Sequence, residues 1–194
     1  MFSQIYLKKT SNKLAKKILS TKLKKNFFKN PYKHLFIDNA IDKKLADVCL
    51  KNFPRINKKN WEKSNIRSIE IKHRSKWESE FDVPDGLIDL VRILNSSTIL
   101  KSLSRRFSIP KLMPDPYFTG GGLNVTERGG LLDVHVDGNY HDASGLNRRI
   151  NAILYLNPGW QKGWGGEFGL YDETGDKLIK KIAPIHNRLV IFDT

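Results

Sequence analysis

The chain has almost no cysteine. Cys49 is the only one among 194 residues, so no internal disulfide can form and a reducing compartment is favoured. The expected location is the cytoplasm. Long apolar runs are missing too. No stretch approaches the ~18 residues that a membrane-spanning helix needs, and mean hydropathy is −0.46. The start, Met1-Phe2-Ser3-Gln4-Ile5-Tyr6-Leu7-Lys8-Lys9, has no apolar segment of the kind found in a secretory signal. No internal repeat is present. The triplet Gly120-Gly121-Gly122 is followed by neither Lys-Ser/Thr nor a helix, which argues against a phosphate-cradling loop. Acidic residues are outnumbered, 20 against 34 lysines and arginines, giving a formal charge of +14. Such an excess can attract phosphate on nucleic acid or on an anionic membrane. Here it lies mostly in the N-terminal half, and no basic run carries interleaved aromatics. A lysine- and asparagine-rich composition accounts for it, and nucleic acid is not expected as a partner.

What is there falls into three regions. Residues 1–30 form a basic extension. Ser11-Asn12 can cap a helix carrying Leu14, Ile18, Leu19 and Leu23, with Lys16, Lys17, Lys24 and Lys25 outside. Residues 31–114 are mainly helical. Pro31–Asp38 reads as a strand. Asp42 then caps a helix with Leu45, Val48, Cys49 and Phe53 at helical spacing, stopped by Pro54. Cys49 lies on that apolar stripe and reads as a core thiol. Residues 55–82 are charged and read as irregular, with Trp61 and Trp77 as packing anchors. Pro84 opens a helix with Leu87, Ile88, Val91 and Leu94 on one face, and Ser96-Ser97 caps another with Ile99, Leu100, Leu103 and Phe107.

From residue 115 the pattern changes to short β segments separated by glycine turns. Arg149–Asn157, Phe168–Asp172, Lys177–Ile182 and Arg188–Phe192 read as strands, and their spacing implies an all-β sandwich or jelly roll. Within this region Leu131–Asn139 reads as a strand running into a turn. Side chains alternate faces along a strand, so His135 and Asp137 point one way and Val136 the other. An imidazole beside a carboxylate is half of a divalent-metal site suited to Fe(II), Mn(II) or Zn(II), and a second His would complete a 2-His-1-carboxylate triad. Alone, His-x-Asp is an ordinary tripeptide.

Four blocks in order raise its meaning. They are Gly130–Asp137 with Asn139; Arg148-Arg149-Ile150-Asn151 leading into Leu154-Tyr155-Leu156-Asn157; Trp164–Asp172; and Pro184 through Asn187–Phe192. Together they resemble the Fe(II)/2-oxoglutarate-dependent dioxygenase superfamily, in its prolyl 4-hydroxylase-like branch. The resemblance covers about residues 115–194. It implies an α+β fold: N-terminal helices packed on a double-stranded β-helix, or jelly roll, with Fe(II) at its mouth. His135 and Asp137 would be metal ligands, with 2-oxoglutarate and O2 as co-substrates. Tyr155 matches the strand tyrosine that hydrogen-bonds the distal carboxylate of 2-oxoglutarate; an ordinary core tyrosine is the alternative. The substrate is a small molecule or a peptide. Loop 139–147 and the turn around Trp160–Trp164 are the expected substrate-facing segments, while Glu167 reads as a strand-end residue.

The family's third ligand, a His, lies a few residues beyond the strand that Leu189–Phe192 represents, and a basic residue for 2-oxoglutarate lies about one strand further. Both positions fall past Thr194. His186 precedes that strand, at its opposite end, and His141 reads as a loop residue. The expectation is a barrel lacking its C-terminal strands, binding Fe(II) weakly and turning over little. A non-enzymatic jelly roll that binds a sugar or small molecule is the rival reading, and a basic nucleic-acid-binding protein a second.

Overall fold

The computed structural model describes residues 1–20, 27–57, 59–66, 69–75 and 77–194. Leu23, Lys24 and Lys25 lie outside them. The first helix, α1 (Gln4–Leu19), begins earlier than its sequence indicates. Ser3 is the N-cap, its side chain accepting from the Tyr6 N–H, and Ser11 is buried in mid-helix beside Leu7, Leu14 and Ile18. Helix α2 (Lys43–Lys51) is capped by Asp42, α3 (Asp85–Leu94) follows Pro84, and α4 (Ser97–Phe107) is capped by Ser96. Each cap satisfies or replaces an amide that the first helical turn leaves without a partner. Among the described residues no helix is long and apolar enough to cross a membrane.

Four strands build the main sheet: β1 (Phe27–Phe28), β2 (His34–Ile37), β9 (Ile150–Tyr155) and β12 (Arg188–Asp193), in the order β1-β2-β12-β9, all antiparallel. Residues opposite one another on paired strands share a face. The register therefore sorts the side chains. Leu35, Ile37, Leu189, Ile191 and Leu154 form one face and join the helices in the larger core. Phe36, Val190, Phe192, Ile153 and Tyr155 form the other and pack on a smaller core with Leu170 and Ile182. Those last two come from β10 (Phe168–Tyr171) and β11 (Leu178–Ile182), an antiparallel pair. Strand β12 is thus buried on both faces, which is why its apolar run is unbroken.

Residues 61–75 correct the irregular reading of the charged segment. They form β3 (Trp61–Ile66) and β4 (Glu70–Ser75), a six-residue antiparallel pairing. Trp61 is buried against Phe53, and Trp77 meets Phe118 edge-on. The second edge of β4 takes β5 (Asn124–Val125) and β6 (Leu131–Leu132). Gly130 allows this approach: a Cβ there would lie 2.9 Å from the Ile71 carbonyl oxygen. Strands β7 (Tyr140–His141) and β8 (Leu146–Asn147) make a small hairpin. The result is a mixed helix-and-sheet, α+β architecture.

Candidate metal and co-substrate site

Leu131–Asn139 is strand for only its first two residues. The Asp133 N–H donates to the Ile69 carbonyl at 2.8 Å, and residues 133–139 then leave the ladder. Among the described residues, the backbone of 134–138 takes no ladder partner. Alternation nevertheless holds. His135 Nε2 and Asp137 Oδ1 face each other at 3.4 Å, while Val136 is 87% exposed on the other side.

The proton on His135 can be assigned from its partner. Nδ1 lies 2.7 Å from the Asp133 carbonyl oxygen. A carbonyl only accepts, so Nδ1 carries the hydrogen and Nε2 of the neutral ring keeps its lone pair. Asp137 is held from its other side: Asn151 Nδ2 donates to Oδ2 at 3.1 Å. A proton on Nε2 would make the His135–Asp137 contact an ion pair; in the neutral tautomer two lone-pair atoms, one on a carboxylate, confront each other. A divalent cation resolves that arrangement. Ligand bonds of about 2.1 Å at adjacent positions put donor atoms roughly 3 Å apart, and imidazole plus carboxylate is a suitable donor set for Fe(II). Among the described residues no group of three or more His, Cys, Asp and Glu is arranged to hold a metal.

Asn151 also relates this pair to Tyr155. Asn151, Ile153 and Tyr155 alternate along β9 and share its inner face. The Tyr155 hydroxyl has no hydrogen-bond partner among the described residues, and burial pushes its pKa up to about 12. It is thus a neutral donor without an acceptor. Tyr32 also feels the pair: burial raises its pKa, and the negative charge of Asp137 adds to that rise.

His186 and His141 lie apart from this centre. His186 sits in the turn before β12, where the Asn187 N–H donates to the Tyr155 carbonyl, about four residues along β9 from Asn151. That is about 13 Å of strand. His141 is occupied at both nitrogens. Nδ1 accepts from the Ser144 N–H at 3.2 Å, so Nε2 carries the proton toward Thr119 Oγ1 at 2.8 Å and Asp115 Oδ1 at 3.3 Å. It fastens the β7–β8 hairpin to the 115–119 segment, together with Arg148, which donates to the Thr119 carbonyl at 3.0 Å. Trp164 is 67% exposed, and the Trp160 indole donates to the Gly165 carbonyl within its own turn.

Sequence reasoning gave Asn151 and Tyr32 no role. For Asn151 a signal existed: it is the polar residue at Tyr155's parity in an otherwise apolar strand. Tyr32 carried none, since only the fold brings it toward Asp137.

Comparison with known proteins agrees with the geometry. Residues 121–194 match the model of the 2OG-Fe(II) oxygenase superfamily. A stretch of 57 residues is 39% identical to prolyl 3-hydroxylase OGFOD1 from Mus musculus, covering 27% of this chain and 10% of that protein. The chain therefore spans a small part of that curated relative. A solved prolyl hydroxylase from Trichoplax adhaerens, in complex with a hypoxia inducible factor oxygen degradation domain peptide fragment, is similar over 100% of this chain and 83% of that one. Its TM-score is 0.64 at 17% sequence identity, a likeness of fold. Residues 121–194 thus match the 2OG-Fe(II) oxygenase superfamily, and the chain has a fold like that of a prolyl hydroxylase.

Proposed function

We propose that this chain is the iron- and 2-oxoglutarate-binding part of an oxygenase that hydroxylates a peptidyl substrate, built on a jelly roll to which β1-β2-β12-β9 and β10-β11 contribute. The observation that carries the reading is the 3.4 Å approach of His135 Nε2 to Asp137 Oδ1 with the imidazole proton held on the far nitrogen. His135 and Asp137 hold the metal. The Asp133 carbonyl and Asn151 orient them, as outer partners of metal ligands do. Tyr155 donates its hydroxyl hydrogen to the distal carboxylate of 2-oxoglutarate, and its raised pKa keeps it a donor at any physiological pH. Fe(II), 2-oxoglutarate and O2 together supply the oxidation that places a hydroxyl on an unactivated C–H bond, with succinate and CO2 as co-products. Loop 139–147 and the Trp160–Trp164 turn face the substrate. A peptidyl substrate is favoured by the peptide bound to the similar prolyl hydroxylase.

Two protein donors hold a metal less firmly than three, so the chain by itself is expected to bind Fe(II) weakly and turn over slowly. The same observation favours a second reading, a jelly-roll binding module without redox activity. Succinate release from 2-oxoglutarate under Fe(II) and O2 separates them. Slow release that depends on iron and is lost in His135→Ala supports the oxygenase. No release at any iron concentration favours the binding module, and fast, sustained release sinks the weak-turnover part.

A further inference from the structure

We infer that the outer face of the helical layer, on α1 and α4, binds the phosphate backbone of a double-stranded nucleic acid. A lysine-rich composition would spread positive charge along the whole chain, and it does not. Residues 1–37 and 90–114 hold 15 of the 34 lysines and arginines and not one Asp or Glu; everything else is balanced, 19 cations against 20 acids. The entire excess of charge comes from two segments far apart in sequence, and the fold brings them together. Helices α1 and α4 lie in those segments and pack on each other. Arg106 of α4 donates to the Ile18 carbonyl at 2.7 Å and to the Ser20 carbonyl at 2.9 Å, at the C-terminal end of α1. Leu7, Leu14 and Ile18 of α1 and Ile99, Leu103 and Phe107 of α4 point into the larger core, so both helices turn their cations outward. Lys8, Lys9, Lys13 and Lys16 on α1 and Lys101 and Arg105 on α4 are exposed. None of the six is in an ion pair among the described residues. Lys17 is not available in the same way, because it donates to the Asn39 and Ala40 carbonyls. The helices cover the face of the main sheet opposite β10 and β11. Strands added to either sheet of a jelly roll therefore leave this face open.

The chemistry of the face selects the partner. Lys9, Lys13 and Lys16 step along α1 at about 6 and 4.5 Å, and a duplex presents one negative charge per about 1.7 Å of its axis. Asn12 and Ser97 stand exposed on the same helices, as donors for phosphate oxygens. No aromatic ring is exposed on α1 or α4. Unstacked bases find no platform there, which favours a duplex over a single strand. The apolar side of α1 is spent in the core, so it cannot enter a lipid surface. An acidic protein would need apolar or aromatic anchors at the centre of the contact. The exposed residues of α1 from Lys8 to Lys16, and those of α4, are all polar.

Fluorescence anisotropy with short labelled duplexes of mixed sequence, one of DNA and one of RNA, tests the inference on the whole chain. It is measured without iron or 2-oxoglutarate, so its outcome is separate from that of the oxygenase reading. Binding should be micromolar at low salt, and the logarithm of the affinity should fall against the logarithm of salt concentration with a slope of roughly 4–5, as six exposed cations require. Lys9→Gln, Lys13→Gln and Lys16→Gln together should weaken binding about tenfold or more and reduce that slope by about 2–3. Lys63→Gln, Lys177→Gln and Lys181→Gln together remove the same charge from exposed positions elsewhere, and should change affinity by less than about threefold. Circular dichroism checks that both triple variants are folded; if one is not, the wild-type salt titration still decides. Binding of either duplex with the steep slope supports the proposal, and the tighter of the two identifies the source of the phosphates. A slope below about 2 overturns it, as does an equal loss in the two triple variants. Tighter binding of a single strand than of the duplex of the same length overturns it, and so does binding of phosphatidylserine vesicles with no binding of either duplex.

Discussion

Asn151 Nδ2 donates to Asp137 Oδ2 at 3.1 Å, fourteen residues along the chain. This bond ties a loop that has left its ladder to a strand fixed in the main sheet. It leaves Oδ1 free on the side of His135.

Removing it should loosen the metal site without unfolding the sheet. Asn151→Ala keeps the backbone register with Phe192 but lets the Asp137 carboxylate turn. Loss of such an orienting partner typically costs 10–100-fold in metal affinity. A roughly tenfold or greater rise in the Mn(II) dissociation constant, with the thermal midpoint shifted by only a few degrees, is the expected result.

Tyr155→Phe separates the co-substrate role of the hydroxyl from its packing. The ring stays in the smaller core, and the hydroxyl it loses has no protein partner to strand. A hydrogen bond to a carboxylate contributes about 1.5–3 kcal/mol, so 2-oxoglutarate affinity should fall roughly tenfold or more while stability changes by under ~1 kcal/mol. The pH dependence has a definite sign. The folded pKa is raised to about 12 from 10.0, so the neutral phenol's contribution is complete below pH 10 and is lost as pH climbs through 12. Tyr155→Phe should show a flatter decline in stability across that window.

His34 gives the opposite sign. It is fully buried on the sheet face that carries Tyr155, with Nδ1 2.8 Å from the Tyr32 carbonyl oxygen and Nε2 unpartnered. Burial lowers its pKa; the Tyr32 carbonyl opposes this with a smaller effect, and the charge of Lys180 adds a lesser lowering. A depressed histidine contributes stability above its unfolded pKa of about 6.5, and that contribution disappears as pH falls through the folded value. The thermal midpoint should drop on acidification below about pH 6.5. It should drop less in His34→Phe, which preserves stacking on Phe28.

Asn187 is a structural keystone near the larger core. It adopts a left-handed backbone at φ 59°, and its buried side chain accepts from the Ile41 N–H and donates to the Ile41 carbonyl. Asn187→Ala removes both bonds and leaves in the left-handed region a residue that lacks asparagine's polar side chain, at a cost of about 1–2 kcal/mol. With the unsatisfied backbone groups added, about 3 kcal/mol should be lost in denaturant unfolding. Asn187→Gly should recover only the conformational part.

Much of this architecture can be read along the chain, and the exceptions have physical causes. Helices α2, α3 and α4 carry apolar residues at helical spacing behind a capping residue or proline, so local signals agree with the fold. Helix α1 is capped at Ser3, not at the predicted Ser11, because its buried face includes Thr10 and Ser11, polar residues that mimic a boundary. The β3–β4 hairpin is invisible for another reason. Its strands are mostly exposed and charged, so no apolar alternation marks them, and pairing with β5 and β6 gives them their place. His135 and Asp137 were legible as a pair because the alternation of side chains survives past the end of the ladder. Their support from Asn151 needed the three-dimensional path of loop 133–139.

The central claim is that His135 and Asp137 together hold a divalent metal, and Mn(II) bound in place of Fe(II), followed by paramagnetic resonance of the free aqueous ion, tests it most directly. The account predicts that the wild-type chain removes free Mn(II) signal at one equivalent, weakly, and more tightly when 2-oxoglutarate is added. His135→Ala and Asp137→Ala should each abolish this while retaining the wild-type circular dichroism spectrum. Binding of equal strength in folded wild type and both variants, or no binding by wild type with 2-oxoglutarate present, would contradict it.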